Sequence, residues 1–325
     1  MSEVNWHWTT IDELTHIFHD LTTPDKGRLN TIEIATQPAR VFIAKTADAG
    51  AAILIERSTP PGLVAKTIGR LSISSHEWAP AGDLNRASSL LLTLNSKDPS
   101  ALRGFLIAAL GLIPQVLDSG DEAAVALLSD LALALNPGSD RQKSVRGLWA
   151  ELYCMSLFPK LDDGVAAWQR NPTNRFDFAF KDVVLEVKSF SGTQRLHEFR
   201  HQQTHAPAEK LLLVASLRLE EVASGISLAD LALKTIAGLS SSHDRLRVAR
   251  AVSAAEGDDQ QSSQLLFDLS AAGNSLQFFR GDGIPRFPLL LPEGIVDAHL
   301  SIDFGSAKPS ATGFAECARS IAGLF

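Results

Sequence analysis

The sequence predicts a mixed α/β (α+β) protein of more than one domain. Three observations carry this. Residues 1–95 hold short apolar and β-branched runs separated by Gly, Pro and Asp turn signals, the pattern of strands. Residues 102–135 are apolar at helical rather than strand length. From 140 onward a helical period gives way to short strands and then to a second amphipathic helix. A chain of 325 residues has room for two domains or one elaborated one, and 45% hydrophobic with 21% charged residues is ample for a core.

Taken in order, residues 11–17 form a short helical pattern. Residues 40–44 and 52–55 flank Asp48-Ala49-Gly50 as a hairpin, and 63–68, 71–73 and 90–94 read as further strands. Asp98-Pro99-Ser100 is a helix start, because an acceptor is followed by a proline that needs no N–H partner. Two buried helices follow over 102–117 and 122–135, and Pro137-Gly138-Ser139 breaks the pattern. A third helix over 140–158 carries Val145, Leu148, Leu152 and Met155 on one face. It leads into a hairpin over 176–188. Beyond it, 195–199 alternates as a third strand, 202–209 holds a short polar helical turn, 211–215 is a buried strand, and 227–239 is an amphipathic helix capped by Ser227. The tail has strands near 265–269, 275–279 and 299–304 and a helix over 312–324, with 254–263 as an acidic loop. The partition expected is a strand-rich N-terminal domain (1–97), a helical connector (98–139), a core (140–240) and a small β/α C-terminal extension (241–325).

Two cysteines, Cys154 and Cys317, form no disulfide framework and match no zinc spacing, which fits a reducing cytoplasm. The N-terminus lacks a basic and an apolar region, so no signal peptide is expected. The apolar stretch 104–113 is too short to span a bilayer, so no membrane is expected. The formal charge is −7, but residues 141–220 carry twelve Lys+Arg against nine Asp+Glu, +3, which leaves −10 for the rest. Its basic residues include Arg141, Lys143, Arg146, Arg170, Arg175, Arg195 and Arg200. This is the basic part of an acidic protein, and a solvated surface explains the asymmetry nearly as well.

The hairpin is the most informative feature. Phe176-Asp177-Phe178-Ala179-Phe180 and Val183-Val184-Leu185-Glu186-Val187-Lys188 are joined by Lys181-Asp182 alone. That connection sets Phe180 opposite Val183 and Asp177 opposite Glu186. Alternation then puts Asp177, Ala179, Val184, Glu186 and Lys188 on one face. Phe176, Phe178, Phe180, Val183, Leu185 and Val187 share the other, which must be core. Like charges directly across a sheet repel, and a divalent cation is the usual reason to build such a pair. A solvated edge hairpin is the other reading: one Glu-x-Lys arises about once by chance in a chain of ordinary composition, and Lys181-Asp182 is a weak turn signal.

Glu151 adds a third carboxylate. It lies three residues after Leu148 and four before Met155, at the edge of the apolar stripe and pointing inward, with Gly147 leaving room one turn earlier. No phosphate-binding Gly-x-x-x-x-Gly-Lys and no Gly-x-Ser-x-Gly occurs. His201 and His205 share i, i+4 spacing without an H-E-x-x-H context and read as polar surface.

Helix-Glu, then strand-Asp, then Glu-x-Lys resembles the PD-(D/E)XK nuclease superfamily. Residues Gly147-Leu148-Trp149-Ala150-Glu151-Leu152, Ala166-Ala167-Trp168, Phe176-Asp177-Phe178, Leu185-Glu186-Val187-Lys188, Arg195-Leu196-His197 and Gln202 look like a bacterial group within it, associated with restriction and phage-defence loci. The segment Phe287-Pro288-Leu289-Leu290-Leu291-Pro292-Glu293-Gly294 is similar to that group too. The sequence departs from the pattern at Phe176, where the superfamily has proline, and at Ala150, where the group has glycine; neither removes a catalytic side chain.

The resemblance implies a restriction-endonuclease-like core of helix, three strands, helix and strand. It implies Mg²⁺ or Mn²⁺ held by Asp177, Glu186 and the Val187 carbonyl, with Glu151 on a second metal or a water. Lys188 would orient or deprotonate the attacking water and offset phosphate charge. Arg195, His197, Gln202 and Gln203 would contact the phosphate backbone. The partners implied are DNA, other defence proteins such as an ATPase or a methyltransferase, and a second copy in a homodimer. A catalytically silent nucleic-acid-binding or assembly subunit is the alternative.

Overall fold

The computed structural model describes residues 4–57, 65–68, 70–78, 87–96, 99–134, 144–169, 174–256, 265–286, 295 and 298–311. In chain order the elements are α1 (Ile11–Asp20), β1 (Leu29–Ala35), β2 (Val41–Thr46), β3 (Ala51–Arg57), β4 (Lys66–Ile68), β5 (Leu71–Trp78), β6 (Ala87–Leu94), α2 (Pro99–Asp118) and α3 (Asp121–Ala134). There follow α4 (Val145–Ser156), α5 (Leu161–Ala167), β7 (Phe178–Ala179), β8 (Val183–Phe190), β9 (Leu196–Arg200), β10 (Leu211–Arg218), β11 (Glu221–Ile226), α6 (Leu228–Gly238), α7 (Ser242–Glu256), α8 (Leu269–Ser275), β12 (Gln277–Arg280) and β13 (His299–Asp303). This is the mixed α+β class expected. By contact the chain divides into Met1–Ser139 with Ala232–Gln260, and Asp140–Leu231 with Gln261–Phe325.

The first unit holds an antiparallel sheet of order β1-β2-β3-β6-β5-β4. Period-2 alternation gives it two apolar faces. Phe42, Ala44, Ala52, Leu54 and Leu91 cluster with Leu29 and Trp78 on one. Val41, Ile43, Ile53, Ile55, Leu90 and Leu92 are fully buried on the other. The window Ala101–Asp118 of α2 is long and apolar enough to cross a membrane, contrary to the shorter stretch expected, but 72% of it is buried in the unit, where α2 packs on α7 and α3. The guanidinium of Arg103 in α2 lies 3.2 Å from Glu256 of α7 and also pairs with Asp12 of α1.

The second unit holds a sheet of order β12-β10-β8-β7, in which β8 and β10 are parallel and the outer pairs antiparallel. β9 pairs with β13 in a separate two-stranded sheet, with Phe199 opposite Leu300 and His197 opposite Ile302. The third strand expected at 195–199 therefore exists but finds its partner about a hundred residues downstream. Phe176, Val184, Phe199, Leu212, Val214, Phe279, Ile284, Ile302 and Phe304 form one core, so β9 and β13 contribute to the covering of the Val184 face of β8. Phe158, Phe178 and Phe180 pack together elsewhere, the last two stacked at 6.3 Å.

Several other expectations changed. The 265–269 strand reduces to Phe267, which bridges Glu221 and Ile226, because Asp268 caps α8 instead. Of the loop expected over 254–263, residues 254–256 belong to α7, which runs to Glu256, and 257–263 lie outside the described residues. The helix over 312–324 and the segment 287–294 lie outside the described residues. Gly225 in β11 sits under Phe267: a Cβ there would stand 2.6 Å from the Phe267 carbonyl oxygen. Gly225→Ala is accordingly expected to destabilise this unit by about 1–3 kcal/mol, the usual cost of overpacking, as a lower midpoint in urea unfolding followed by tryptophan fluorescence.

Candidate active site

The hairpin forms in the expected register. Phe178 pairs with Leu185 and Ala179 with Val184, and the Phe180 N–H donates to the Val183 carbonyl at 2.8 Å across Lys181-Asp182. Extending that register sets Asp177 opposite Glu186. Asp177 Oδ2 accepts the Val187 N–H at 2.8 Å, which ties the first strand's carboxylate to the second strand's backbone. Phe176 departs from the expectation. The chain bends before Phe178, so strand alternation does not reach Phe176, and it joins the Val184 core rather than Phe178 and Phe180.

Asp177 and Glu186 are buried, 8% and 3% exposed. A buried carboxylate needs a cation or donors. Lys188 supplies the cation: its Nζ lies 2.8 Å from Glu186 Oε1, two residues along the same strand and hence on the same face. Its ammonium also lies 4.8 Å above the Phe199 ring. Gln203 donates from Nε2 to the same Glu186 oxygen at 2.7 Å.

Glu151 lies inward on α4, 3% exposed, as its place on the stripe predicts. Its Oε2 accepts the Trp168 indole N–H at 2.8 Å. Trp168 ends α5, bridges Phe178, and is followed by Gln169, whose N–H donates to the Asp177 carbonyl at 2.7 Å. One short segment thus links the helix carboxylate to the start of the hairpin. A Cβ built on Gly147 would meet only the capping Ser144 hydroxyl, at 3.2 Å.

Among the described residues no three His, Cys, Asp or Glu converge to hold one ion. The three carboxylates are near in topology but do not form a single cluster. The Asp177 and Glu186 carboxylates with the Val187 carbonyl are the oxygen donors here that could hold a hard divalent cation. They offer hard oxygen donors in a buried setting, and Mg²⁺ keeps most of its waters and takes one or two protein carboxylates.

The residues expected on phosphate are placed unequally. Gln202 is exposed, while Gln203 is half-buried on the Glu186–Lys188 pair. Arg195 reaches the Ser216 hydroxyl and carbonyl and the Ser275 carbonyl, with its guanidinium 4.8 Å over Phe190. His197 is 2% exposed and 2.7 Å from the Ser216 hydroxyl. His201 and His205, expected on the surface, are buried, with rings 4.9 Å apart on the 3-10 turn His201–Thr204 and its cap. Trp168 and Arg175 went without a role in the sequence. The signal for the first was an indole between the helix Glu and the strand Asp.

Burial, and then the charges of Lys188 and Arg195, push the His197 imidazole down to about 4, against the weaker pull of a hydrogen bond with the Ser189 backbone and of Asp303. An unfolded chain binds that proton near pH 6.5. Stability is therefore full above about pH 6.5 and falls as pH drops toward 4, by about 3 kcal/mol in all. His197→Gln, which can keep a bond to Ser216, is expected to flatten that slope in urea unfolding measured from pH 4 to 7.

A family model described as "Putative PD-(D/E)XK family member, (DUF4420)" matches residues 14–305. No curated protein and no solved structure matches the chain. PD-(D/E)XK nucleases typically use divalent metals. Because the match spans most of the chain and takes in α4 and the whole hairpin, the chain belongs to this PD-(D/E)XK family, and that membership suggests a nuclease-like function.

Proposed function

We propose that the chain is a metal-dependent endonuclease that hydrolyses phosphodiester bonds in DNA, in a restriction or phage-defence setting in the cytoplasm. The observation that carries this is the pairing of Lys188 with the buried Glu186, beside a buried Asp177 whose carboxylate accepts the Val187 N–H. In this reading residues 140–240 carry the chemistry. Asp177, Glu186 and the Val187 carbonyl would hold Mg²⁺ or Mn²⁺, which supplies Lewis acidity toward the phosphate. Lys188 steadies charge that develops on the phosphate and orients the attacking water. Glu151, held by Trp168, orients water from the helix side. Gln202 is the most exposed of the four side chains assigned to phosphate, and Arg195 and His197 act through packing around Ser216. The partners are DNA and, in such a setting, an ATPase, a methyltransferase or a second copy of the chain.

Supercoiled plasmid with Mg²⁺, Mn²⁺ or EDTA tests the proposal. Nicking with either ion and none with EDTA is expected; nicking that ignores EDTA overturns it. A second reading, a catalytically silent nucleic-acid-binding or assembly subunit, draws on the lack of a three-acid cluster among the described residues. It calls for salt-sensitive binding with no cleavage under either ion.

A further inference from the structure

We propose that Gln203 is a positioning residue that holds the Glu186–Lys188 pair in its working geometry, rather than a phosphate contact. Its catalytic consequence rests on the nuclease reading above; its structural content does not. One amide makes four contacts. Nε2 donates to Glu186 Oε1 at 2.7 Å and to the Arg175 carbonyl at 3.2 Å. Oε1 accepts the Arg200 N–H at 2.9 Å and faces Lys188 Nζ at 3.4 Å.

The two backbone groups decide which end of the amide points where. The Arg175 carbonyl accepts only from the NH₂ end, and the Arg200 N–H donates only to the oxygen. A flipped amide would lose both bonds and turn its oxygen on Glu186. The amide is thereby locked with its donor on the carboxylate and its acceptor toward the ammonium. It joins three separate stretches: Arg175 just before the hairpin, Glu186 and Lys188 on β8, and Arg200 at the end of β9. A neutral side chain that both donates and accepts can bind the two members of an ion pair at once, and neither Glu nor Lys can do that.

A purely structural role makes a different demand. At the third position of a helical turn, Glu accepts the preceding N–H as well as Gln does. If capping were all, Gln203→Glu would be silent. In the positioning role Gln203→Glu sets a second carboxylate against Glu186 and draws Lys188 toward itself.

The test uses the full chain. Lysine ammonium groups are observed by ¹H–¹⁵N correlation without metal or DNA, with the Lys188 signal assigned by its loss in Lys188→Ala. In Gln203→Glu and Gln203→Ala that signal shifts or disappears, because both remove the Nε2 donor from Glu186. In metal-dependent cleavage both variants lower kcat by about tenfold to a hundredfold with KM nearly unchanged. An unmoved Lys188 signal in Gln203→Glu, or in Gln203→Ala should the first variant not fold, overturns the proposal. Wild-type kcat in both variants overturns it as well. If wild type itself does not cleave but the signal moves, the nuclease reading fails and the positioning role stands.

Discussion

Lys188→Ala is expected to cut metal-dependent cleavage by about 10²–10³-fold, the usual cost of removing one group that stabilises developing charge. The reason is placement. Lys188 is two residues from Glu186 on β8 and its side chain is 18% exposed, so a preoriented ammonium stands at the carboxylate pair yet is open enough to meet substrate. Its position over Phe199 and its contact with Gln203 restrict where it points. Lys188→Arg is not expected to restore the rate, because a planar guanidinium spreads its charge and fills a different volume. Loss of the cation also leaves Glu186 less well compensated, so the fold needs its own control. Lys188→Met keeps the stem on Phe199 without the charge. Single-turnover cleavage, with circular dichroism on each variant, is the measurement. A folded Lys188→Met that cleaves at the wild-type rate removes Lys188 from the site.

Arg103→Ala is expected to destabilise the first unit by about 3–5 kcal/mol, the cost of taking one member from a buried ion pair. Arg103 is 8% exposed and its Nε lies 3.2 Å from Glu256, which is 1% exposed. The pair joins α2 to the last residue of α7, 153 positions apart. Without the guanidinium, the buried Glu256 carboxylate loses the cation that stands 3.2 Å from it. Replacing both partners with apolar residues of similar size, Arg103→Met with Glu256→Leu, is expected to be close to neutral. Thermal unfolding by calorimetry reads both, and a drop on the order of 10 °C is expected for the single variant. Equal losses in single and double variants contradict the ion-pair origin.

How much could be read in advance differs from element to element. The hairpin was legible because a two-residue connection and a period of two are local properties. They set the register of Phe178 with Leu185 without reference to the rest of the chain. Glu151 was legible for a similar reason: helical period alone places it inward. α7 was not. Arg245, Arg247 and Arg250 interrupt any apolar stripe, yet Arg245 is 1% exposed because its guanidinium donates to the Leu239 and Gly111 carbonyls. A buried arginine satisfied by backbone from another helix has no signature in its neighbours.

The same division runs through the site. Which side chains could do chemistry, and on which face of β8, followed from local pattern, since alternation depends only on the strand itself. What covers that face did not. The partner of β9 is β13, about a hundred residues away, and loop closure over such a span leaves no periodic trace. That long-range pairing accompanies the packing of Phe199 and Phe304 on the Val184 face, buries His197 as a neutral imidazole, and leaves the turn after β9 set so that Gln203 meets Glu186 and Lys188. Spacing put Glu186 and Lys188 on one face of the strand; contacts between residues distant in sequence paired them with the amide of Gln203.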